Sequence, residues 1–276
     1  MREYKPIITL THNARGVYSL DTSIGCASGL RDNKRGCYND CYAAKSAKHY
    51  GYDFSKTVLR YFTDKRHERK IINQINRIKL DFVRIGTSGD PSEYWQHTIN
   101  ILKVIRNVNK QIVIITKHWT NLTDDHLQFL STINVCINTS VSALDEPGLL
   151  INSLAQYHRL KPFCKSVLRI VSADFNLQNP TGAKLANLQH SLFKNEGTID
   201  TVLRVNKNNP LVKDGVINVT QSTFLGKKAI ISKLNKSTYF GGCATCHEMC
   251  GMNVKTNYPD KIVNKQLTLF KLKKIF

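Results

Sequence analysis

The stretch VRIGTSGDPSEYWQHTINILKVIRNVNKQIVIITK, residues 83–117, decides the fold. It opens with a β-branched run at 83–89 that ends in glycine and is followed by aspartate. A helical pattern at 91–109 has Pro91 in its first turn, and a second apolar run follows at 112–117. Proline is common in the first turn of a helix, and apolar runs joined by a helix are typical of parallel strands. The stretch therefore predicts one strand–helix–strand unit of a parallel sheet.

The same alternation extends along most of the chain. It predicts strands at 16–23, 83–89, 112–117, 135–142, 166–175 and 201–208, and helices at 42–50, 55–79, 91–109, 123–132, 146–160 and 181–195. Six strands fit a curved sheet better than an eight-unit barrel, for which the chain is short. The predicted fold is α/β, a partial (β/α)6 TIM-like barrel over residues 1–208. A small cysteine-containing extension over 209–276 would follow, beginning with a hairpin.

Composition points to a cytoplasmic protein with a polyanionic partner. The chain contains no apolar run long enough to span a membrane, and its N-terminus lacks the apolar core of a signal peptide. The net charge is +20, from 40 Lys and Arg against 20 Asp and Glu. Such a charge attracts polyanions, and nucleic acid is the commonest in a cell. The alternative is the lysine enrichment that AT-rich genomes impose.

Three cysteines stand close together after the first predicted strand. They are Cys26, Cys37 and Cys41, within IGCASGLRDNKRGCYNDCYAAK (24–45). Cytosolic thiols stay reduced, so ligands are a better explanation than disulfides, and sites in parallel α/β folds lie at the carboxyl ends of strands. Three thiolates can hold three irons of a [4Fe–4S] cluster and leave the fourth iron open. A zinc site completed by a distant ligand, or buried cysteines without metal, are the alternatives.

This loop and the alternating units resemble the radical S-adenosylmethionine superfamily. GCYNDCYAAK (36–45) is similar to the cluster loop of small phage-encoded radical-SAM-like proteins, and VRIGTSGD (83–90) and IVIITK (112–117) resemble their second and third strands. The resemblance covers residues 16–208. The usual spacing is Cys-x3-Cys-x2-Cys, whereas position 44 is alanine here, so the third ligand would be Cys26.

The resemblance implies cofactors, partners and a reaction. The implied cofactors are a [4Fe–4S] cluster on Cys26, Cys37 and Cys41 and S-adenosyl-L-methionine, and the implied partner is an electron donor such as flavodoxin or ferredoxin. One electron would cleave S-adenosylmethionine to a 5′-deoxyadenosyl radical, which removes a hydrogen atom from the substrate. If the chain is phage-encoded, the host cytoplasm is its expected location.

Candidate cofactor-binding residues stand at strand ends or inside predicted strands. They are Gly86, Ser88, Gly89, Asp90, Lys117, Asn138, Ser140, Arg169 and Arg204. The glycines permit close approach of a ligand, and Asp90 would either receive the methionine ammonium, as the superfamily's second-strand motif does, or cap the next helix. Lys117 would meet a carboxylate or phosphate. A buried arginine needs an anionic partner, either the methionine carboxylate or an internal carboxylate.

A second cysteine group lies in GGCATCHEMCGMN (241–253). Cys243, Cys246 and Cys250 have a spacing that suits a second [4Fe–4S] cluster or a zinc ion, and ligands from the two groups could also mix. We expect this segment to border the open mouth of the barrel, where a substrate would enter.

The sequence as a whole predicts a radical-SAM enzyme that modifies DNA or RNA. The basic segments 64–79 and 255–276 would follow a phosphate backbone, unless they are a solvated helix face and a packing tail. Two alternatives stay open. One is the same chemistry on a small molecule or peptide, and the other is a non-catalytic, metal-containing nucleic-acid-binding protein.

Overall fold

The structure is a computed structural model that describes residues 4–33, 37–224, 226–236, 238–242, 245–256 and 258. Its strands are β1 Thr11–His12, β2 Tyr18–Ser19, β3 Ser23–Ile24, β4 Val58–Leu59, β5 Phe82–Ile85, β6 Gln111–Thr116, β7 Val135–Val141, β8 Lys165–Ser172, β9 Asp174–Phe175, β10 Thr198–Val205, β11 Ile217–Asn218, β12 Thr220–Phe224 and β13 Lys227–Ser232. Its helices are α1 Tyr42–His49, α2 Lys65–Asn76, α3 Trp95–Ile105, α4 Asp124–Leu130, α5 Pro147–Leu160, α6 Pro180–Leu192 and α7 Pro210–Lys213.

Nine of these strands form one sheet, in the order β1-β2-β5-β6-β7-β8-β10-β13-β12. The six neighbours β2, β5, β6, β7, β8 and β10 pair in parallel. The pairs at the two edges are antiparallel. The predicted α/β class is therefore confirmed, and the hairpin of β12 and β13 extends the same sheet.

One face of the sheet is covered by helices. Val83, Ile85 and Ile112 pack there in one buried cluster with Ile99 of α3 and Leu127 of α4. Successive side chains of a strand point to opposite sides of a sheet. The residues that alternate with this buried set therefore point to the other face, which we call the inner face.

The inner face changes from apolar to polar along the strands. Near the amino-terminal ends it carries an apolar group that packs on the C-terminal segment: Phe82, Val113, Cys136, Val167 and Ile199 against Cys250, Met249 and Met252. Two residues further along three of these strands, it carries Arg84, Asn138 and Arg169. Charged side chains thus lie between the apolar group and the carboxyl-terminal ends of the strands.

Arg15 joins the two edges of the sheet. It lies in the turn between β1 and β2, and its Nη2 donates a hydrogen bond of 2.9 Å to the Gly241 carbonyl, beyond β13. Its guanidinium carbon also lies 5.2 Å from the ring centre of Phe224, at the end of β12. These contacts connect the turn before β2 with the end of β12 and with the segment after β13.

Three predicted elements differ in the structure. The strand predicted at 166–175 is divided into β8 and β9, and β9 pairs with β11 outside the main sheet. The strand predicted at 16–23 is divided into β2 and β3, and the helix predicted at 55–79 begins only at Lys65. Residues 58–59 are extended because Val58 pairs with Ile24 of β3. The helix then begins at Lys65 because the Asp64 carboxylate accepts the His67 N–H and so caps the first turn.

Candidate functional site

The first cysteine loop begins in close contact with residues 86–90. Gly25 forms an isolated parallel bridge with Gly89, and its N–H donates to the Ser88 carbonyl at 2.9 Å. Gly25 has a φ of +89°, and a Cβ there would lie 2.0 Å from the Lys56 carbonyl oxygen. Only glycine fits such a position. The backbone itself therefore holds this loop against the end of β5.

The three thiols of this loop gather in one region. Cys26 is buried and packs in the same apolar cluster as Cys41, and the Gly29 N–H donates to its Sγ at 3.3 Å. Cys37 lies close enough to both for their charges to interact. Within the described ranges, however, no three His, Cys, Asp or Glu side chains converge as metal ligands. The donor chemistry fits an iron–sulfur cluster, but the loop would have to close further to bind one.

The environment raises the pKa of two of these thiols. Burial raises the pKa of Cys26, and the carboxylates of Asp90 and Glu93 raise it further. Burial also raises the pKa of Cys37 to about 11, against the opposing effect of the Lys117 ammonium. Metal binding requires thiolates. Lys117 is therefore a group that favours the metal-binding form of Cys37.

Tyr38 anchors the turn between the second and third cysteines. Tyr38 and Asn39 both adopt positive φ, 57° and 60°. The Lys117 Nζ donates to the Tyr38 hydroxyl at 2.7 Å and to Asp145 Oδ1 at 2.6 Å, and Asn209 Nδ2 donates to the Tyr38 carbonyl at 2.9 Å. Lys117, a candidate for cofactor binding, thus holds the loop to the ends of β6 and β7.

A buried carboxylate shapes residues 86–88. The backbone N–H groups of Gly86, Thr87 and Ser88 donate to the Asp21 carboxylate at 3.1, 2.8 and 3.0 Å. The Tyr42 hydroxyl donates to the Thr87 carbonyl at 2.5 Å. The segment that would lie beside the cofactor is therefore fixed by Asp21 on one side and by α1 on the other.

Asp90 is used by the same turn. Its Oδ1 accepts from the backbone N–H and hydroxyl of Ser92 and from the Thr116 hydroxyl, at 2.9, 2.8 and 2.6 Å. Its Oδ2 accepts the Lys117 N–H at 2.8 Å. Both oxygens of Asp90 thus accept hydrogen bonds that fix the chain, as expected if Asp90 caps the next helix.

The remaining candidates lie in two places. Asn138 Nδ2 donates to the Cys250 carbonyl at 2.9 Å, and the charge of Arg169 interacts with the Cys250 thiol, so both approach the C-terminal segment. Ser140 is half-buried at the inner-face position after Asn138. Arg204 lies instead at the first cysteine loop, with its guanidinium carbon 5.3 Å from the Tyr42 ring centre.

The second cysteine group lies at the amino-terminal ends of the strands. Cys243 is outside the described residues, whereas Cys250 is buried in the apolar group of the inner face. Burial raises the pKa of Cys246, and the nearby Cys250 thiol raises it further. The Lys165 Nζ, at the start of β8, donates to the Met252 carbonyl at 2.6 Å. The expectation that this segment borders the mouth of the barrel is therefore wrong, because apolar residues seat it at the opposite ends of the strands.

A basic groove runs along α2. It encloses about 910 Å³, and four cationic side chains, Arg66, Arg69, Lys70 and Arg77, line it together with one carboxylate, Asp64, and with Ile7 and neutral polar side chains. The described part of the predicted basic segment 64–79 thus presents a concave, cationic surface. In the other basic segment, residue 257 and residues 259–276 lie outside the described ranges.

A pocket lined by tyrosines lies beside the first cysteine loop. It has a volume of about 230 Å³, and its walls include Tyr4, Tyr42, Tyr50 and Tyr52 as well as Ser88. Tyr42 and Tyr50 are exposed. Flat aromatic rings at such a position can stack on a planar base.

Sequence reasoning missed Asp21 and Tyr38. Asp21 lies between β2 and β3, and a lone acidic residue inside the run predicted as a strand at 16–23 is the signal that could have found it. Tyr38 lies inside the cysteine motif, where no feature of the sequence separates a structural tyrosine from an incidental one.

Comparisons with known proteins identify no family. No protein-family model matches the chain, and the curated proteins include no match to it either. Across the described ranges, no helix combines the length and apolar character needed to cross a membrane.

Proposed function

We propose that this chain is an iron–sulfur enzyme of the radical S-adenosylmethionine class that modifies a nucleic acid. The observation that carries the proposal is the position of the first cysteine loop. It lies at the carboxyl-terminal ends of parallel strands, where Lys117 and Asp145 hold it through Tyr38. Sites of parallel α/β folds are built at these ends.

The same strands support the finer fold proposal, a partial (β/α)6 barrel. Six parallel strands follow one another in chain order, and Arg15 connects the first and last strands of the sheet. A sheet whose edges approach each other encloses its inner face. The first cysteine loop would then cover one end of the enclosure, and the C-terminal segment would fill the other.

The residues of the loop have distinct proposed roles. Cys26, Cys37 and Cys41 would hold the [4Fe–4S] cluster, which when bound would supply the electron for reductive cleavage of S-adenosylmethionine. Lys117 lowers the pKa of Cys37 against the effect of burial, and so assists loss of its proton. Asp21 keeps residues 86–88 in a fixed turn beside the loop.

The surface supports a nucleic-acid substrate. The α2 groove places four cationic side chains along one wall, and the net charge of +20 favours a polyanion. The tyrosine pocket beside the cysteine loop offers rings on which an extruded base can stack. These features favour nucleic acid over a small molecule or a peptide.

Anaerobic reconstitution with iron and sulfide tests the enzyme proposal. We expect dithionite-reduced protein to release 5′-deoxyadenosine from S-adenosylmethionine, and Cys41→Ala to lose this activity while remaining folded. Cys164→Ala is the control, because Cys164 is a buried cysteine that packs on the helix-covered side, outside the loop. A colourless zinc protein without cleavage activity would instead support the non-catalytic alternative.

A charge-matched pair of variants tests the nucleic-acid part. Replacing the groove residues Arg66, Arg69, Lys70 and Arg77 with Gln should weaken retention of DNA or tRNA and reduce the salt slope of binding by up to about 3. The control replaces four exposed lysines elsewhere, Lys184, Lys194, Lys207 and Lys213, with Gln. Equal losses in both variants would mean that net charge alone attracts the nucleic acid.

A further inference from the structure

A sharp turn separates the second and third cysteines of the first cysteine loop. Its two central residues, Tyr38 and Asn39, have φ angles of 57° and 60°, and the Asp40 N–H donates to the Cys37 carbonyl at 3.1 Å. Two successive non-glycine residues in the left-handed region are unfavourable, and such a conformation persists only where surrounding contacts hold it. The contacts of this turn therefore decide how Cys37 and Cys41 are placed.

The connection between β10 and α7 supplies two of these contacts. Asn209 Nδ2 donates to the Tyr38 carbonyl at 2.9 Å, and the Asn206 N–H donates to the Asp40 carboxylate. The connection is itself fixed, because the Asn209 N–H donates to the Asn206 carbonyl at 2.9 Å. The residues on both sides of Asn39 are thus bonded to one short connection at the carboxyl-terminal end of β10.

Asn209 uses the two polar atoms of its amide for different contacts. The residue is only 3% exposed, and its Oδ1 accepts the Leu211 N–H at 3.0 Å, which caps α7. Its Nδ2 makes the bond to the cysteine loop. Serine and aspartate cap helices as well as asparagine does, but neither carries amide N–H donors. A substitution can therefore remove the contact with the loop and keep the cap.

We propose that Asn209 is a positioning residue for the iron–sulfur cluster, because its amide holds the turn that directs Cys37 and Cys41 to the same site. The role in cluster binding rests on the proposed function, whereas the hold on the turn rests on the hydrogen bonds alone. The Tyr38 phenol is held separately, by Lys117 at 2.7 Å. Loss of the Asn209 amide therefore loosens the backbone of the turn and leaves this side-chain contact in place.

Alkylation of the metal-free, full-length chain tests the hold on the turn. Asn209→Ser keeps a cap for α7 but removes the amide donor. We expect iodoacetamide to modify Cys37, which is half-buried, at least fivefold faster in this variant than in the wild type, as measured by mass spectrometry. The reason is that a loosened turn exposes a thiol whose pKa burial otherwise raises. Asn209→Asp is the second variant, should Asn209→Ser fail to fold, and the same acceleration is expected of it.

Asn179→Ser is the matched control for this substitution. Asn179 caps α6 in the same way, with its Oδ1 accepting the Thr181 N–H at 3.0 Å. Its Nδ2 also donates to a backbone carbonyl, that of Asp214, at 3.0 Å. Because that carbonyl lies outside the cysteine loop, Asn179→Ser should leave the alkylation rate of Cys37 at the wild-type value.

The midpoint potential of the reconstituted cluster tests the role in cluster binding. We expect Asn209→Ser to raise this potential, because a loosened loop admits water, which favours the more negative, reduced cluster, and Asn179→Ser to leave it unchanged. The proposal is overturned if Asn209→Ser is alkylated at the wild-type rate, if Asn179→Ser matches it, or if alkylation accelerates while the potential stays the same. A wild-type chain that assembles no cluster would contradict the proposed function and the cluster-binding role with it, whereas the alkylation rates would still decide whether Asn209 holds the turn.

Discussion

Replacing Lys117 with methionine would leave a buried carboxylate without its cation. The Lys117 Nζ lies 2.6 Å from Asp145 Oδ1, and the two side chains are only 9% and 3% exposed. With an effective dielectric constant of about 20, the gross attraction at this distance is roughly 6 kcal/mol. Much of it offsets desolvation, but removal of one partner of a buried pair typically costs about 3–5 kcal/mol.

The remaining contact of Asp145 places the expected cost of Lys117→Met near the lower end of this range. Asp145 Oδ2 still accepts the Ser142 N–H at 2.8 Å, so the isolated carboxylate keeps one donor. We expect Lys117→Met to lower the free energy of unfolding by about 3 kcal/mol. Urea denaturation monitored by circular dichroism would measure this decrease, with Lys48→Met, at an exposed lysine, as the matched control.

A double-mutant cycle separates the ion pair from lost packing. Combining Lys117→Met with Asp145→Asn should cost at least about 1 kcal/mol less than the sum of the single variants, because the double variant leaves no unpaired charge. The reasoning is refuted if Lys117→Met unfolds within about 0.5 kcal/mol of the wild type, or if the two single costs simply add.

Three further substitutions test other parts of the site. Gly25→Ala should destabilise the protein by about 1–3 kcal/mol more than Gly51→Ala in urea denaturation. Both positions have positive φ, but only a Cβ at residue 25 would meet a carbonyl oxygen. Equal costs of the two substitutions would contradict this. Asp21→Asn should lower stability by about 2 kcal/mol or more, since three backbone N–H groups lose their carboxylate, and an unchanged melting temperature would argue against it. Burial lowers the pKa of His118 to about 3, so between pH 6.5 and 3 the unfolded chain binds one more proton than the folded chain. The free energy of unfolding therefore falls as the pH falls through that window. His118→Asn should make this pH dependence shallower by up to about 1.4 kcal/mol per pH unit, and an identical pH dependence would refute the assignment.

Hydrophobic periodicity was sufficient to predict most of the sheet. The apolar runs that form β5, β6 and β7 are buried, or nearly buried, on both faces of the sheet. Such runs can be recognised from their β-branched composition. The helix predicted at 55–79 was too long because Val58 and Leu59 pair with β3. A pairing between segments about 35 residues apart leaves no local pattern in the sequence.

The candidate site was predictable in its location but not in its contacts. Cys26, Cys37 and Cys41 lie in one region, as the shared loop indicates. Lys117 was predicted to meet an anionic group, and Asp90 either to receive the cofactor ammonium or to cap the next helix. In the structure the charged groups of both residues bond to other parts of the protein. The residue type predicts that a strand-end charge needs a partner, but only the fold decides whether that partner is a ligand or a neighbouring loop.

The central claim is that the first cysteine loop holds a catalytic [4Fe–4S] cluster. The most direct measurement is the iron and sulfide content, with the electron paramagnetic resonance spectrum, of a reconstituted variant that carries serine at Cys243, Cys246 and Cys250. The account predicts about four irons and four sulfides per chain, and a reduced-cluster signal that changes when S-adenosylmethionine is added. An iron-free protein would contradict it. So would a signal that persists, and still responds to S-adenosylmethionine, when Cys26, Cys37 and Cys41 are replaced with serine in the otherwise unaltered chain.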